Sequence, residues 1–319
     1  MTTLPTLRQL RYLATLADTL NFTAAADALL VTQSTLSSGI QELERLLDAR
    51  LVERDRQNVR LTPLGGEVVE RARVVLAMAG DLADHVARHR APMTDLVRLG
   101  AIPTIAPFML TSLVRAARRK HPKLKLALRE DQTARLLERV RSGALDFALI
   151  ALPYDTSGLR VTALFDDKLV LIAAKGDPAV RLNRVHIDRL DVDRLLLLEE
   201  GHCLRAHALV GCGLAERANP SGFEATSVST LVQMVEEGMG VALIPEMGVR
   251  AGLLRGAMVV VRPFEEPAPS RRVALVARAS TALVWEFAEL VAIAHQVGAG
   301  PASSTGDVLY AKARSNARM

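Results

Sequence analysis

Cys203 and Cys212 are the two cysteines of a 319-residue chain, and both lie in the stretch EEGHCLRAHALVGC that runs from Glu199 to Cys212. Nine positions separate them, with His202 beside the first and Gly211 before the second. Three chemistries are open to such a pair. Two thiols can pack in a core as small hydrophobes. Cys203 and His207 are spaced i, i+4, and His202 and Cys212 are near in sequence, so these four side chains have the donor types of a zinc site. The pattern Cys-x3-His-x4-Cys is not a familiar finger spacing. The third chemistry is redox: a thiolate attacks an oxidant, and a second thiol condenses with the sulfenic acid to give a disulfide.

The elements that must position these thiols can be read around them. Gly201 follows a leucine-rich strand and is expected to open a helix, so Cys203 falls in or near its first turn. Free N–H groups and the positive dipole end favour an anion there. Arg205 and a protonated His202 are expected to strengthen that effect.

No secretory signal is expected, because the first twenty residues include Arg8 and Arg11 and no continuous apolar stretch. No segment approaches the ~18 apolar residues of a membrane span. The expected compartment is the cytoplasm, where thiols stay reduced and a structural disulfide is unusual. Half of the residues are hydrophobic, which suits sizeable cores and argues against disorder, and only 3% are aromatic, which argues against base-stacking platforms. The net charge is +5, which permits nucleic-acid binding without requiring it. Residues 1–62 hold seven basic and seven acidic side chains, so any DNA-binding face there must come from placement.

Such a placement is visible. Leu10, Leu13, Leu16 and Leu20 form an apolar stripe at helical spacing. Thr23 is the expected N-cap of a second, alanine-rich helix. In a third, Leu36, Ile40, Leu43 and Leu47 share one face. Gln33, Ser34, Thr35, Ser37, Ser38 and Gln41 occupy the other, crowded at the N-terminus. That is the face with which a recognition helix reads base edges in the major groove; a solvated polar face is the alternative. RLVERDRQNVRLT then resembles a two-stranded wing with Arg54, Arg56 and Arg60 at its tip and sides. Leu61, Leu64, Val68, Ala72, Val75, Ala79, Leu82 and Val86 step by threes and fours, a seam expected to dimerise rather than pack only on its own domain.

Pro92 ends that helix at a hinge, and the texture then changes to alternating strands and helices. LVRLGAI, KLKLALRE, DFALIAL, KLVLIAAK, VALIPEM and RRVALVA read as strands in two α/β lobes built on a largely parallel sheet. The cleft between such lobes is the default ligand site. The expected divisions are a DNA-binding domain over 1–61, a linker helix over 62–90, a hinge over 91–95, a two-lobed regulatory domain over 96–298 and a flexible tail over 299–319.

Over residues 5–298, and most specifically from Leu7 to Gly65, the chain resembles the LysR-type transcriptional regulators. That resemblance implies an all-α winged helix-turn-helix, a long dimerising linker helix, and an α/β effector domain of two Rossmann-like lobes similar to a periplasmic binding protein. It implies a homodimer or homotetramer, a double-stranded DNA operator and RNA polymerase as partners, and no cofactor. IPTIAP (Ile102–Pro107), DQTARLL (Asp131–Leu137), LEEGHCLR (Leu198–Arg205), ATSVSTL (Ala225–Leu231) and LVAR (Leu275–Arg278) are similar to the family's peroxide-sensing branch. By that resemblance Cys203 is the peroxidatic cysteine and Cys212 the resolving one, with Thr104, Thr133, His202 and Arg278 lining a hydrogen peroxide pocket. Gly222, Glu224 and His207 depart from the branch's pattern.

A helix over 203–212 would set the thiols about 13–14 Å apart along its axis, against the ~7 Å between Cα atoms that a disulfide tolerates. Oxidation would then have to remodel the segment, and Gly211 and Gly213 would ease it. Two rivals remain: a LysR-type regulator answering a small organic ligand in the lobe cleft, and a thiol peroxidase. The second gives no reason for a DNA-reading head, so the protein is not expected to be an enzyme.

Overall fold

The computed structural model describes residues 4–54, 59–88, 93–94, 96–211 and 224–298. The expectations for Arg56, Cys212, Gly222, most of the hinge and the tail lie outside the described residues, as does the side chain of Arg54. The chain divides into a helical unit, mainly residues 1–90, and an α/β unit built largely from residues 91–298.

In the helical unit, α1 (Leu7–Thr19) begins at a reciprocal cap: Thr6 Oγ1 accepts from the Gln9 N–H, and the Gln9 side chain accepts from the Thr6 N–H. Helix α2 (Phe22–Leu29) is capped by Asn21, two residues earlier than the expected Thr23, because the extended Asn21 reaches two unpaired donors, Thr23 N and Ala24 N, at once. Helix α3 (Gln33–Leu47) is capped by Thr32. Its Leu36, Ile40 and Leu43 are fully buried, whereas Leu47 is 37% exposed at the last turn. Each fully buried side chain contributes about 1.5–3 kcal/mol. Gly39 lets α1 and α3 approach, since a Cβ there would lie 2.6 Å from the Tyr12 ring. Strands β1 (Val52–Arg54) and β2 (Val59–Leu61) pair antiparallel, Val52 opposite Leu61.

Helix α4 (Pro63–Arg88) starts on a proline, whose missing N–H costs nothing in a first turn. Its apolar positions divide, with the seam residue Ala72 and its neighbour Val69 on one side and the seam residues Val75 and Leu82 and their neighbour Met78 on the other. Val69 and Ala72 are buried in the core of the helical unit with Leu13, Leu16 and Leu36, while Val75, Met78 and Leu82 are 44%, 53% and 71% exposed.

The α/β unit contains β3 (Leu96–Ala101), α5 (Ala106–Lys120), β4 (Lys125–Glu130), α6 (Thr133–Arg141), β5 (Phe147–Leu152), β6 (Leu159–Ala174), β7 (Leu197–Leu198), α7 (Cys203–Gly211), β8 (Glu224–Ala225), α8 (Val228–Glu236), β9 (Val241–Pro245), α9 (Glu246–Ala251), β10 (Val259–Pro263), β11 (Ser270–Arg278) and α10 (Val284–Gly298). Seven strands form one sheet in the order β10-β6-β11-β5-β3-β4, with β9 also on β6. Only β3–β4 and β3–β5 are parallel within it, so the largely parallel sheet expected from the sequence is replaced by antiparallel pairing around β6 and β11. The cause is the 16-residue β6. Its first part pairs with β11 and its second with β9 and β10, so one strand runs through both lobes. Asp166, Asp167 and Lys168 interrupt its apolar pattern and hide its length in the sequence. One lobe has its core at Leu171, Ile172, Leu197, Leu204, Val232 and Ile244. The other buries Leu99, Leu113, Leu137, Phe147 and Leu290.

Candidate functional site

The parallel strands β3, β4 and β5 deliver three positions to one edge of the sheet. Thr104 follows β3, Thr133 follows β4 as the first residue of α6, and Leu152 ends β5. Ligands of α/β sheets collect at this carboxyl edge. Thr104 and Thr133 are each 1% exposed. The Thr133 hydroxyl has no hydrogen-bond partner despite its burial, a state that costs free energy unless a ligand or water supplies the bond.

Arg271, on β11, fills the space beside Thr104. Its Nη1 donates to Thr104 Oγ1 at 2.6 Å and its Nη2 to the Thr104 carbonyl at 2.8 Å. The same guanidinium donates through Nε to Asp167 Oδ2 at 3.1 Å, and neither side chain of this ion pair is exposed. Asp167 Oδ1 accepts from the Met247 N–H at 3.0 Å, so the buried carboxylate is satisfied on both oxygens.

Cys203 is the first residue of α7, buried at 7% exposure, with a free thiol. It sits at the helix end that favours negative charge. The approach to it is a tight turn at Gly201 (φ +90), where a Cβ would meet Gln132 Oε1 at 2.8 Å. Gln132 Nε2 also donates to the Glu200 carbonyl at 3.5 Å. The turn before Cys203 thus packs on the residue preceding Thr133. One turn along α7, His207 reaches the same carboxyl edge. It bonds to the backbone of Leu152, and burial followed by the charge of Arg271 lowers its pKa to about 4. Its Nδ1 is buried without a partner. At neutral pH the ring is therefore uncharged, with Nδ1 an acceptor.

His202 is buried, with Nε2 3.4 Å from Glu199 Oε1. Arg205 turns to the Glu224 carboxylate (2.9 Å) and the Leu198 carbonyl (3.2 Å), which spends on structure the cation expected to assist the thiol. Arg278 is not at Thr104: its Nη1 donates to the Leu145 carbonyl at 3.1 Å. Arg272 pairs with Leu152 but Arg278 lies six residues further along β11, roughly 20 Å away. Arg271 holds the place given to Arg278, and the sequence offered two adjacent arginines at the start of β11 with no signal that one faces inward. Among the described residues no three His, Cys, Asp or Glu side chains converge on a metal position, and none of the helices is long and apolar enough to cross a membrane.

On the DNA side, Gln33, Ser34, Thr35 and Ser38 are exposed at the start of α3 and Ser37 is half-buried. The Thr35 hydroxyl lies 2.8 Å from that of Thr32, within the cap. Residues 7–66 match the bacterial regulatory helix-turn-helix protein family, lysR type, and residues 90–297 match the LysR substrate binding domain. The chain belongs to the LysR family. LysR-family members are transcriptional regulators, and similar ones include the HTH-type transcriptional regulator EstR of Acinetobacter baylyi, 48% identical over 94% of this chain and 99% of that protein. A probable hydrogen peroxide-inducible genes activator of Streptomyces viridosporus is 38% identical over 90% of this chain and 93% of its own. Among solved structures, a full-length OxyR from Pseudomonas aeruginosa matches with a TM-score of 0.76 and 31% identity, over 92% of this chain and 96% of that one.

Proposed function

We propose that this LysR-family regulator responds to hydrogen peroxide through Cys203 and Cys212 and controls antioxidant genes from a double-stranded DNA operator, as a cytoplasmic homodimer or homotetramer that acts on RNA polymerase. The observation that carries the reading is Cys203: a buried free thiol opening α7, one turn before His207, whose Nδ1 has no partner and which feels the charge of the buried Arg271. The thiol sulfur attacks one peroxide oxygen, the O–O bond breaks, and water leaves with Cys203 as sulfenic acid. Cys212 then displaces a second water and closes the disulfide. Thr133 Oγ1 and His207 Nδ1 supply hydrogen-bonding capacity that a small, polar oxidant can use.

Helix α7 supports a switch. Cys203 and Gly211 are eight residues apart, about 12 Å along the axis. Cys212 follows Gly211 by about 3.8 Å, so an intact α7 keeps the two Cα atoms at least ~8 Å apart. That exceeds the ~7 Å a disulfide tolerates. Oxidation therefore requires α7 to unwind.

The test treats reduced protein with one equivalent of hydrogen peroxide, quenches with an alkylating agent and maps peptides by mass spectrometry. A linked Cys203–Cys212 peptide, absent in Cys203→Ser, is expected. Two alkylatable thiols at large peroxide excess would overturn the reading. A second reading, response to a small organic ligand, is favoured by a cavity of about 260 Å³ lined by Phe108, Met109, Ser112, Met247, Arg250 and Val297. Under that reading the response survives Cys203→Ser.

A further inference from the structure

We propose that Arg205 and Glu224 form a latch that holds the reduced arrangement and sets how readily the Cys203–Cys212 disulfide closes; this rests on the peroxide reading above. Arg205 is the third residue of α7, two after Cys203. Its Nη1 is shared between Glu224 Oε1 at 2.9 Å and the Leu198 carbonyl at 3.2 Å. Those partners sit on β8 and β7, which are themselves paired, Leu197 with Glu224 and Leu198 with Ala225. The Glu199 N–H adds a bond to the Ala225 carbonyl at 2.9 Å. One guanidinium thus ties the first turn of α7 to two strands.

The location gives the tie its consequence. Arg205 and Glu224 bracket residues 206–223, which include Cys212. Joining Cys212 to Cys203 unwinds α7 from the turn that Arg205 anchors, and a guanidinium carried away with that turn cannot keep both partners. Disulfide closure therefore trades the sulfur–sulfur bond against the Arg205–Glu224 pair. The side chain of Arg205 is 11% exposed and that of Glu224 is 44% exposed. The interaction is stronger than a surface pair yet partly screened by solvent.

Atoms balance in the two steps it separates. Thiol and hydrogen peroxide give sulfenic acid and water, a step that leaves α7 intact and the latch closed. Sulfenic acid and the Cys212 thiol give disulfide and water, the step the latch opposes.

The test compares full-length wild type, Glu224→Ala and Glu224→Gln. The equilibrium of the Cys203–Cys212 couple is measured in glutathione buffers, and sulfenic-acid formation is timed by rapid quench. The expected result is an equilibrium constant for closure three- to tenfold larger in Glu224→Ala, equal to ~15–30 mV for a two-electron couple, with the first step unchanged. Glu224→Gln falls between. High salt moves wild type towards Glu224→Ala and leaves that variant in place, because only the ion pair is screened. A Glu224→Ala equilibrium equal to wild type at low salt, or shifted against closure, overturns the latch alone. A wild type that forms no disulfide overturns the peroxide reading and the latch with it.

Discussion

Arg271 donates to both the hydroxyl and the carbonyl of Thr104, through Nη1 at 2.6 Å and Nη2 at 2.8 Å. One rigid fork thereby fixes the loop after β3 relative to β11, and Asp167 fixes the fork. Removing one partner of a buried ion pair leaves the other charged and unpaired, at a cost of about 3–5 kcal/mol. Arg271→Ala is expected to lose that much stability, read by denaturant unfolding. Asp167→Asn is expected to cost a similar amount, because it leaves the buried guanidinium without its counter-charge and turns an amide NH2 towards one of the two donors that the carboxylate now accepts from. Equal stability of Arg271→Ala and wild type would show that the cluster does not hold the lobe.

His207 gives the fold an acid limb. Its folded pKa of about 4 lies below the ordinary value of 6.5. The unfolded chain therefore binds the extra proton first, and stability falls as pH drops from about 6.5 to about 4. Fully developed, the loss is about 3 kcal/mol, at 1.36 kcal/mol per unit. Carboxylates add their own acid slope, so the informative quantity is the difference between wild type and His207→Gln. Urea unfolding at pH 7.5 and 5 is expected to show a steeper loss for wild type. Identical slopes would place His207 in contact with solvent.

The sequence made the helical unit legible because local signals agree there: caps, a 3.6-residue period and Leu36, Ile40 and Leu43 on one face. It made Cys203 legible because a glycine turn announces the helix. It left Arg271 unread. Inward and outward positions alternate along a strand, but β11 is apolar on both sides after Arg272, and only the sheet shows that Arg271 meets Thr104 while Arg272 meets Asp166 at the surface. The same holds for β6, whose central Asp167 reads as a break and is the buried counter-ion.

The split seam of α4 separates two kinds of variant. Ala72 is buried in its own unit, so Ala72→Asp is expected to unfold that unit. Leu82 is 71% exposed and Met78 53%, so Leu82→Glu with Met78→Glu leaves folding intact and disrupts self-association. Sedimentation is expected to show a smaller species with unchanged helix content. An unchanged assembly would mean that this stretch faces solvent in the oligomer.

Gln33 and Arg60 are both exposed, on α3 and β2, and are expected to fail differently. A side chain that reads a base edge is worth about 1–3 kcal/mol of discrimination. Gln33→Ala should weaken operator binding roughly five- to 160-fold and spare random DNA. Arg60→Ala should weaken both alike and reduce the salt slope by about one charge. Binding titrations across salt on both DNAs distinguish them, and a uniform loss from Gln33→Ala would remove α3 from base reading.

Ala206 tests whether the unwinding of α7 reaches its N-terminal half. It is exposed in the second turn of the helix, so replacing it alters helix propensity with little change in packing. Glycine there costs the helix about 1 kcal/mol relative to alanine, and the cost vanishes in any state where the turn is already unwound. Ala206→Gly should therefore favour closure of the Cys203–Cys212 disulfide by about fivefold, the factor that 1 kcal/mol represents, while the rate of sulfenic-acid formation stays the same. The glutathione equilibrium reads the first quantity and rapid quench the second. If Ala206→Gly leaves the closing equilibrium where wild type has it, the turn at Ala206 stays helical in the oxidised protein and the unwinding is confined to the later turns of α7.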